Sequence, residues 1–202
     1  MKHLFAFMAL ILLVFSSCKE QAKTDKTNES EKYLGESELV QPKDLPLIFR
    51  RTTLIVRNVD ESLKLYRDAI GMEVIYDNLI KRPHPDAPER EQVLRLIFLK
   101  ATTQFSGVLG LLEYDYESEF KVDKPVRKEG FTPQNIVLLF NSKNQAEQFE
   151  KIKKLPNIEI MGEPTLTEYP SYDGKKVTRV MVSKFYDADG FIVEFNKLLD
   201  DL

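Results

Sequence analysis

The sequence predicts an α+β fold built from two tandem β-α-β-β-β modules. Three observations carry this expectation. A strand–turn–helix–glycine stretch near residue 50 returns in fainter form near residue 135, so that Arg51 aligns with Asn135, 84 positions later. The helix of each copy is followed by three apolar, alternating segments. About 155 residues follow a polar N-terminal stretch, enough for one compact domain made of two modules, each too small to bury a good core alone.

In the first module, Leu47 to Val56 reads as a strand. Asn58 or Asp60 can cap a helix whose first turn carries Glu61. Leu63, Tyr66 and Ile70 form its buried stripe, and Gly71 supplies the left-handed stop. Met72 to Tyr76 alternates as a strand. Lys81 to Pro88 reads as a loop, because three prolines oppose regular structure. Val93 to Leu99 and Val108 to Tyr114 are two further strands. The second module repeats the order with a strand over 135–142, a helix over 143–153 and a short strand over 158–161. Glu163 to Tyr169 reads as a loop, Val177 to Ser183 as a strand, Asp187 to Gly190 as a turn, and Phe191 to Phe195 as the last strand.

The N-terminus reads as a targeting segment. Lys2 supplies the positive end, Leu4 to Phe15 an apolar run shorter than a membrane span, and Ser16-Ser17-Cys18 small residues ahead of a cysteine. This resembles a bacterial lipoprotein signal, which implies removal of residues 1–17, lipid attachment at Cys18 and a bacterial envelope location, periplasmic or outer-surface. Residues 18–44 are polar and charged, a composition that favours a tether. Cys18 is the only cysteine, so the mature chain has neither a disulfide nor a catalytic thiol. The net charge of −3, with no basic stripe interleaved with aromatics, argues against nucleic acid as a partner.

The run Val56-Arg57-Asn58-Val59-Asp60-Glu61-Ser62-Leu63-Lys64-Leu65-Tyr66-Arg67-Asp68 and the ending Asp187-Ala188-Asp189-Gly190-Phe191-Ile192-Val193-Glu194-Phe195 are similar to the vicinal oxygen chelate superfamily. That group holds glyoxalase I, extradiol dioxygenases, and bleomycin- and fosfomycin-resistance proteins. The resemblance spans about residues 48–199, within a domain of 45–202 whose modules lie at about 47–116 and 131–199. It implies that each module curls into half of a barrel-like mixed sheet around an internal site. It also implies a divalent metal held by His, Glu, His and Glu. Those four places fall at Arg51, Glu113, Asn135 and Glu194. A guanidinium has no lone pair to give, and an amide is a poor ligand for transition metals. No cofactor is therefore expected; Glu113 and Glu194 are the ligands if a metal binds. The mature chain holds one histidine, His84, in the proline loop, so a two-histidine iron site is excluded.

Strand alternation puts Arg51, Thr53 and Ile55 on one face, with Asn135, Val137 and Leu139, and with Ile192 and Glu194. Leu54, Val56, Leu138, Phe140, Val193 and Phe195 fall on the other, under the helices. The expectation is a cavity where Arg51, Thr53, Glu113, Asn135 and Glu194 meet a small molecule, or else a salt bridge plugging that space. Arg95 and Arg179, and Tyr169, Tyr172 and Tyr186, are secondary candidates for the lining. Asp187 to Gly190 resembles a calcium loop only superficially.

Three functions compete. The first is a small-molecule binding module without the usual metal. The second is a glyoxalase-type lyase or isomerase, in which Glu194 would move a proton. The third is a structural or interaction module. The resemblance also implies that modules pair either within one chain or across a homodimer.

Overall fold

The computed structural model describes residues 46–47, 49–102, 107–121, 124–171 and 174–200. The signal segment, Cys18, the tether and Tyr172 lie outside the described residues. The chain divides into two units, Met1–Ile48 and Phe49–Leu202. Both modules belong to the second.

The first module contains β1 (Arg51–Ile55), α1 (Val59–Leu63), β2 (Glu73–His84), β3 (Ala87–Lys100) and β4 (Val108–Glu113). The second contains β5 (Val137–Asn141), α2 (Gln145–Ile152), β6 (Glu159–Pro170), β7 (Val177–Tyr186) and β8 (Ile192–Leu198). Each module makes one four-stranded sheet, ordered β1-β4-β3-β2 and β5-β8-β7-β6. In both, the first and last strands pair in parallel and the other pairs are antiparallel. The repeat in the sequence is thus a repeat in topology. The sheets do not close into a barrel; each ends on two edge strands.

Asn58 caps α1, its Oδ1 accepting from the Asp60 and Glu61 amides at 2.9 and 3.1 Å. After Leu63 the helix widens into a π-helical stretch, Lys64–Ala69, marked by the i→i−5 bond from the Ile70 amide to the Leu65 carbonyl. It stops at Gly71, whose φ of +89° is open to glycine without a Cβ clash.

Two expected loops are strands. β2 runs through Pro83 and β3 begins at Ala87, so the hairpin extends to its tip at Pro85 and Asp86. Pro83 lies on the edge strand β2 beside a register shift, Pro85 at the hairpin tip, and Pro88 at the start of β3 before its pairing with β4 begins at Arg95, places where a missing N–H is tolerated. β6 likewise spans Glu163 to Tyr169 as an edge strand, with register shifts around Gly162 that let Pro164 pass.

One apolar layer joins the modules. Leu54, Val56, Leu109 and Leu111 of the first sheet, Val193, Phe195 and Phe185 of the second, and Tyr66, Phe149 and Ile152 of the helical segments all belong to it. Helical segments of both modules meet there. The Gln148 amide donates to the Ile70 carbonyl at 2.6 Å, and the Tyr66 and Phe140 rings lie 6.2 Å apart. The expected partition of faces is observed for Leu54, Val56, Val193 and Phe195, which are buried, and for Ile55 and Leu139, which are 54% and 62% exposed, whereas Ile192, expected on the open face, is 2% exposed.

Candidate functional site

The face of the first sheet away from the helices carries the most distinctive arrangement. Register aligns Thr53, Gly110, Phe98 and Tyr76 in one row across four strands. Arg51 Nε donates to Thr53 Oγ1 at 2.9 Å, and its guanidinium carbon lies 3.9 Å from the centre of the Phe98 ring. Phe98 stacks on Tyr76, with centroids 4.7 Å apart and planes 21° apart. Gly110 makes this possible. A Cβ there would sit 2.7 Å from Thr53 Oγ1 and 3.1 Å from Arg51 Cδ, so the missing side chain is the floor over which Arg51 reaches Phe98. The contact holds the guanidinium against the ring, with Nε on Thr53 and the terminal nitrogens without a hydrogen-bond partner among the described residues. Among the described residues, no carboxylate pairs with Arg51.

Glu113 does not join it. Its carboxylate is on the helix side of the sheet, where Oε2 accepts from the Val59 amide at 2.7 Å and Oε1 pairs with the Lys121 ammonium. The register explains the departure from the expected convergence. Glu194 lies opposite Leu139 on β5, and Leu112, not Glu113, lies opposite the matching Ile55 on β1. Moving one residue along a strand moves the side chain to the other face.

Glu194 stays on the open face of the second sheet, 3.3 Å from the Lys184 ammonium. Asn135 donates from Nδ2 to the Gly130 carbonyl at 2.8 Å and to Thr132 Oγ1 at 3.0 Å. It borders a recess of about 160 Å³ with Gln134, Ile136, Gly190, Phe191 and Ile192. No hydrogen bond or ion pair joins any two of Arg51, Glu113, Asn135 and Glu194 among the described residues. The expected salt-bridge plug is therefore not what occupies this region.

Of the four residues expected to share a site, Glu113 is turned to the helix side, and the one carboxylate and one amide that remain beside the Arg51 guanidinium do not form a chelating set for a divalent metal. Among the described residues, no group of three or more His, Cys, Asp or Glu side chains is placed to hold one.

The secondary candidates have local partners. Arg95 bridges Asp77 and Asp60, at 2.8 and 2.9 Å, and reaches the Tyr116 hydroxyl. Arg179 pairs with Asp200. The Tyr186 hydroxyl accepts from the Gly130 amide at 2.6 Å, and Tyr169 is exposed on β6. His84 Nδ1 accepts from the Asp86 amide at the hairpin tip.

A second centre was not anticipated. Asp187 is only 2% exposed, and its Oδ1 accepts from the Asp189 and Phe191 amides at 2.9 and 2.8 Å. This makes the 187–190 segment a side-chain-stabilised turn. Its Oδ2 accepts from the buried Tyr66 hydroxyl at 2.7 Å. Burial pushes the Asp187 carboxyl up to about 6, against the pull of these donors, and raises the Tyr66 phenol well above its usual value. Arg57 grips the same turn through Asp189 Oδ1 and the Ala188 carbonyl. The turn of the second module is therefore held by the helical segment of the first. A buried-stripe tyrosine gives no sequence signal for a polar partner 121 residues away.

No protein-family model matches the sequence, and no curated protein does. The fold has solved counterparts. A glyoxalase family protein from Bacillus cereus superposes with a TM-score of 0.58 at 12% identity, over 80% of this chain and 100% of that one. Glyoxalase I of Leishmania major, described as trypanothione-dependent, gives 0.46 at 19% identity over 75% and 86%. The fosfomycin resistance protein FosX of Listeria monocytogenes, solved with Mn(II), gives 0.43 at 16% identity over 76% and 93%. The first likeness, with two β-α-β-β-β sheets in tandem, gives this chain a glyoxalase-like fold.

Proposed function

We propose that this chain is a lipid-anchored, glyoxalase-fold binding module that takes a small anionic molecule on the open face of its first sheet, without the metal that the fold is known for. The observation that carries the reading is the Arg51 guanidinium, stacked on Phe98 above Gly110 and paired with no carboxylate among the described residues. A guanidinium held against a ring presents its remaining N–H donors as a fork that suits carboxylate or phosphate. Thr53, Phe98 and Tyr76 would line the floor.

The recess beside Asn135, at about 160 Å³, is smaller than the roughly 300 Å³ at which drug-sized pockets begin, so the sheet face is the better candidate. A lyase using Glu113 and Glu194 is disfavoured, because Glu113 faces the helices and already accepts the Val59 amide. Exposed Ile55, Val137 and Leu139 on the edge strands β1 and β5 favour a homodimer as a further feature of the same module, which light scattering would detect. The proposed anchor rests on the sequence around Cys18, which supports a location in a bacterial envelope.

The test is titration calorimetry of the chain from Lys19 onward against a panel of small carboxylates and phosphates. At least one should bind, and Arg51→Gln should weaken it tenfold or more. A panel that gives no heat, or affinity unchanged in Arg51→Gln, would remove the reading.

A further inference from the structure

At the opposite end of the same sheet face, a second group of cations is built in a different way. Arg82 of β2 lies across from Gln92 of β3 in the register. Its Nε and Nη2 both donate to Gln92 Oε1, at 3.1 and 3.0 Å. Gln92 is buried, and its own Nε2 donates to Asp115 Oδ1 at 3.3 Å. Arg90 Nη1 reaches the same oxygen at 3.4 Å. Each guanidinium also lies near an aromatic ring. Arg82 is 5.8 Å from the centre of Tyr114, and Arg90 is 4.6 Å from the centre of Phe120.

Asp115 is shared, at long distance, between Arg90 and an amide. Arg82 is held by a neutral oxygen and pairs with no carboxylate among the described residues. Nearby Lys81 and Glu91 pair with each other at 3.4 Å, and Lys121 is taken by Glu113. Two arginines are thus held beside one shared carboxylate, and the Arg82 guanidinium itself has only a neutral acceptor.

The backbone is shaped for the arrangement. Asp115 and Glu117 adopt φ values of +50° and +55°, which cost non-glycine residues about 1 kcal/mol or more each. The bend is locked by the Ser118 amide to the Asp115 carbonyl at 3.0 Å and the Phe120 amide to Ser118 Oγ at 3.1 Å. It delivers Asp115 to Gln92 and Phe120 to Arg90. Tyr114 and Phe120 remain exposed. Exposed rings flanking pre-ordered guanidinium groups match an oxyanion carried on an apolar body, because the charge and the ring find complementary surfaces side by side.

We propose that Arg82 and Arg90, with Tyr114 and Phe120, form a second binding site, which takes an organic oxyanion: a phosphate or carboxylate group borne on an aromatic or aliphatic body. Gln92 and Asp115 are its positioning residues. The site stands apart from Arg51 and does not depend on what Arg51 binds.

The test is calorimetric titration of the chain from Lys19 onward with phenyl phosphate, benzoate and inorganic phosphate. Phenyl phosphate or benzoate should bind, and inorganic phosphate at least fivefold more weakly than phenyl phosphate. Arg82→Gln, an exposed substitution, should weaken binding at least tenfold. Arg82→Lys, which keeps the charge and loses the fork, should weaken it severalfold. Phe120→Ala should cost severalfold as well, and in an Arg51→Gln background, where the first site is silenced, the losses from Arg82→Gln and Phe120→Ala should persist. No heat from either organic anion at millimolar concentration would overturn the proposal. So would equal affinity for inorganic and phenyl phosphate, or an Arg82→Gln variant that binds like the parent. Loss of all binding in Arg51→Gln with Arg82→Gln unaffected would assign the anion to the first site and sink the second.

Discussion

The Tyr66 hydroxyl donates to the Asp187 carboxylate at 2.7 Å, joining the helical segment of the first module to the last turn of the second. Both groups are buried. Removing the hydroxyl leaves one carboxylate oxygen without its donor inside the protein, a loss of about 1–3 kcal/mol. Tyr66→Phe is therefore expected to lower stability by that amount in urea denaturation while leaving the slope with denaturant unchanged, since the surface exposed on unfolding stays the same.

The same pair sets a pH dependence. Burial raises the folded Asp187 carboxyl to about 6 from 3.8 in the unfolded chain. Between those values the native state holds the proton and the unfolded state releases it. Asp187 thus favours folding at low pH, and its contribution is lost as pH rises through about 4 to 6. A shift of this size corresponds to about 2–3 kcal/mol. Around the carboxylate, Tyr66 and the two turn amides donate, while Arg57 answers Asp189. Asp187→Asn keeps an acceptor for both amides and a donor toward Tyr66. Urea midpoints measured from pH 4 to 7 should drop for the parent chain relative to Asp187→Asn. Parallel curves would contradict the assignment.

Glu113 gives a contrast between an acid that holds structure and one that does chemistry. Its Oε2 accepts the Val59 amide where α1 begins. Glu113→Gln retains an acceptor there, whereas Glu113→Ala leaves a buried amide and the Lys121 ammonium without their partner. The alanine variant should lose about 2–3 kcal/mol and the glutamine variant clearly less. Neither should alter the affinity of the Arg51 site in calorimetry, provided the variant is folded.

The strand pattern disclosed most of the architecture. Leu54 and Val56 alternate against Arg51, Thr53 and Ile55 because one face is buried and the other is not, and that difference is written in residue type. Asn58 and Gly71 mark the two ends of a helix for equally local reasons. The long hairpins were hidden by Pro83 and Pro164, whose lost donors matter only inside a sheet, and edge position is a property of topology. Glu113 faces the helices because strand pairing sets it one residue past Leu112, which lies opposite Ile55, and a pairing register is not readable along the chain. The Tyr66–Asp187 pair and the Arg82–Gln92–Asp115 chain join residues 121, 10 and 23 positions apart. A sequence read along its length carries no mark of such meetings. Arg51 was legible as a cation in the metal's place, but its seat on Phe98 required knowing that β4 runs between them.

Gly190 is where the backbone leaves no room. It has φ of +89°, and a Cβ there would sit 2.0 Å from the Arg127 carbonyl oxygen and 3.0 Å from its carbon. Those are main-chain atoms, so no rotamer change relieves the contact. Gly190→Ala must either open the Asp187 turn or push the 124–130 segment away. Combining left-handed strain with this clash, it should lose about 3 kcal/mol or more. Because the Tyr66 bond hangs on that turn, the loss should be smaller in a Tyr66→Phe background, and a double-mutant cycle in urea would measure the difference.

Gly110→Ala separates the Arg51 seat from the stability of the fold. The added methyl would fall 2.7 Å from Thr53 Oγ1 and 3.1 Å from Arg51 Cδ, both side-chain atoms on an open face. Arg51 can swing aside, while Thr53, whose Cγ2 would also lie 3.1 Å away, must turn about χ1, so the fold should lose about 1 kcal/mol, the low end of overpacking costs. The Arg51 guanidinium, however, would be lifted from Phe98. Calorimetry should then show anion affinity at the Arg51 site falling about as far as in Arg51→Gln, with the melting temperature nearly unchanged. Binding retained at parental strength would mean that the stack on Phe98 is incidental to what Arg51 does. A large drop in melting temperature would mean that the glycine serves the sheet and not the arginine.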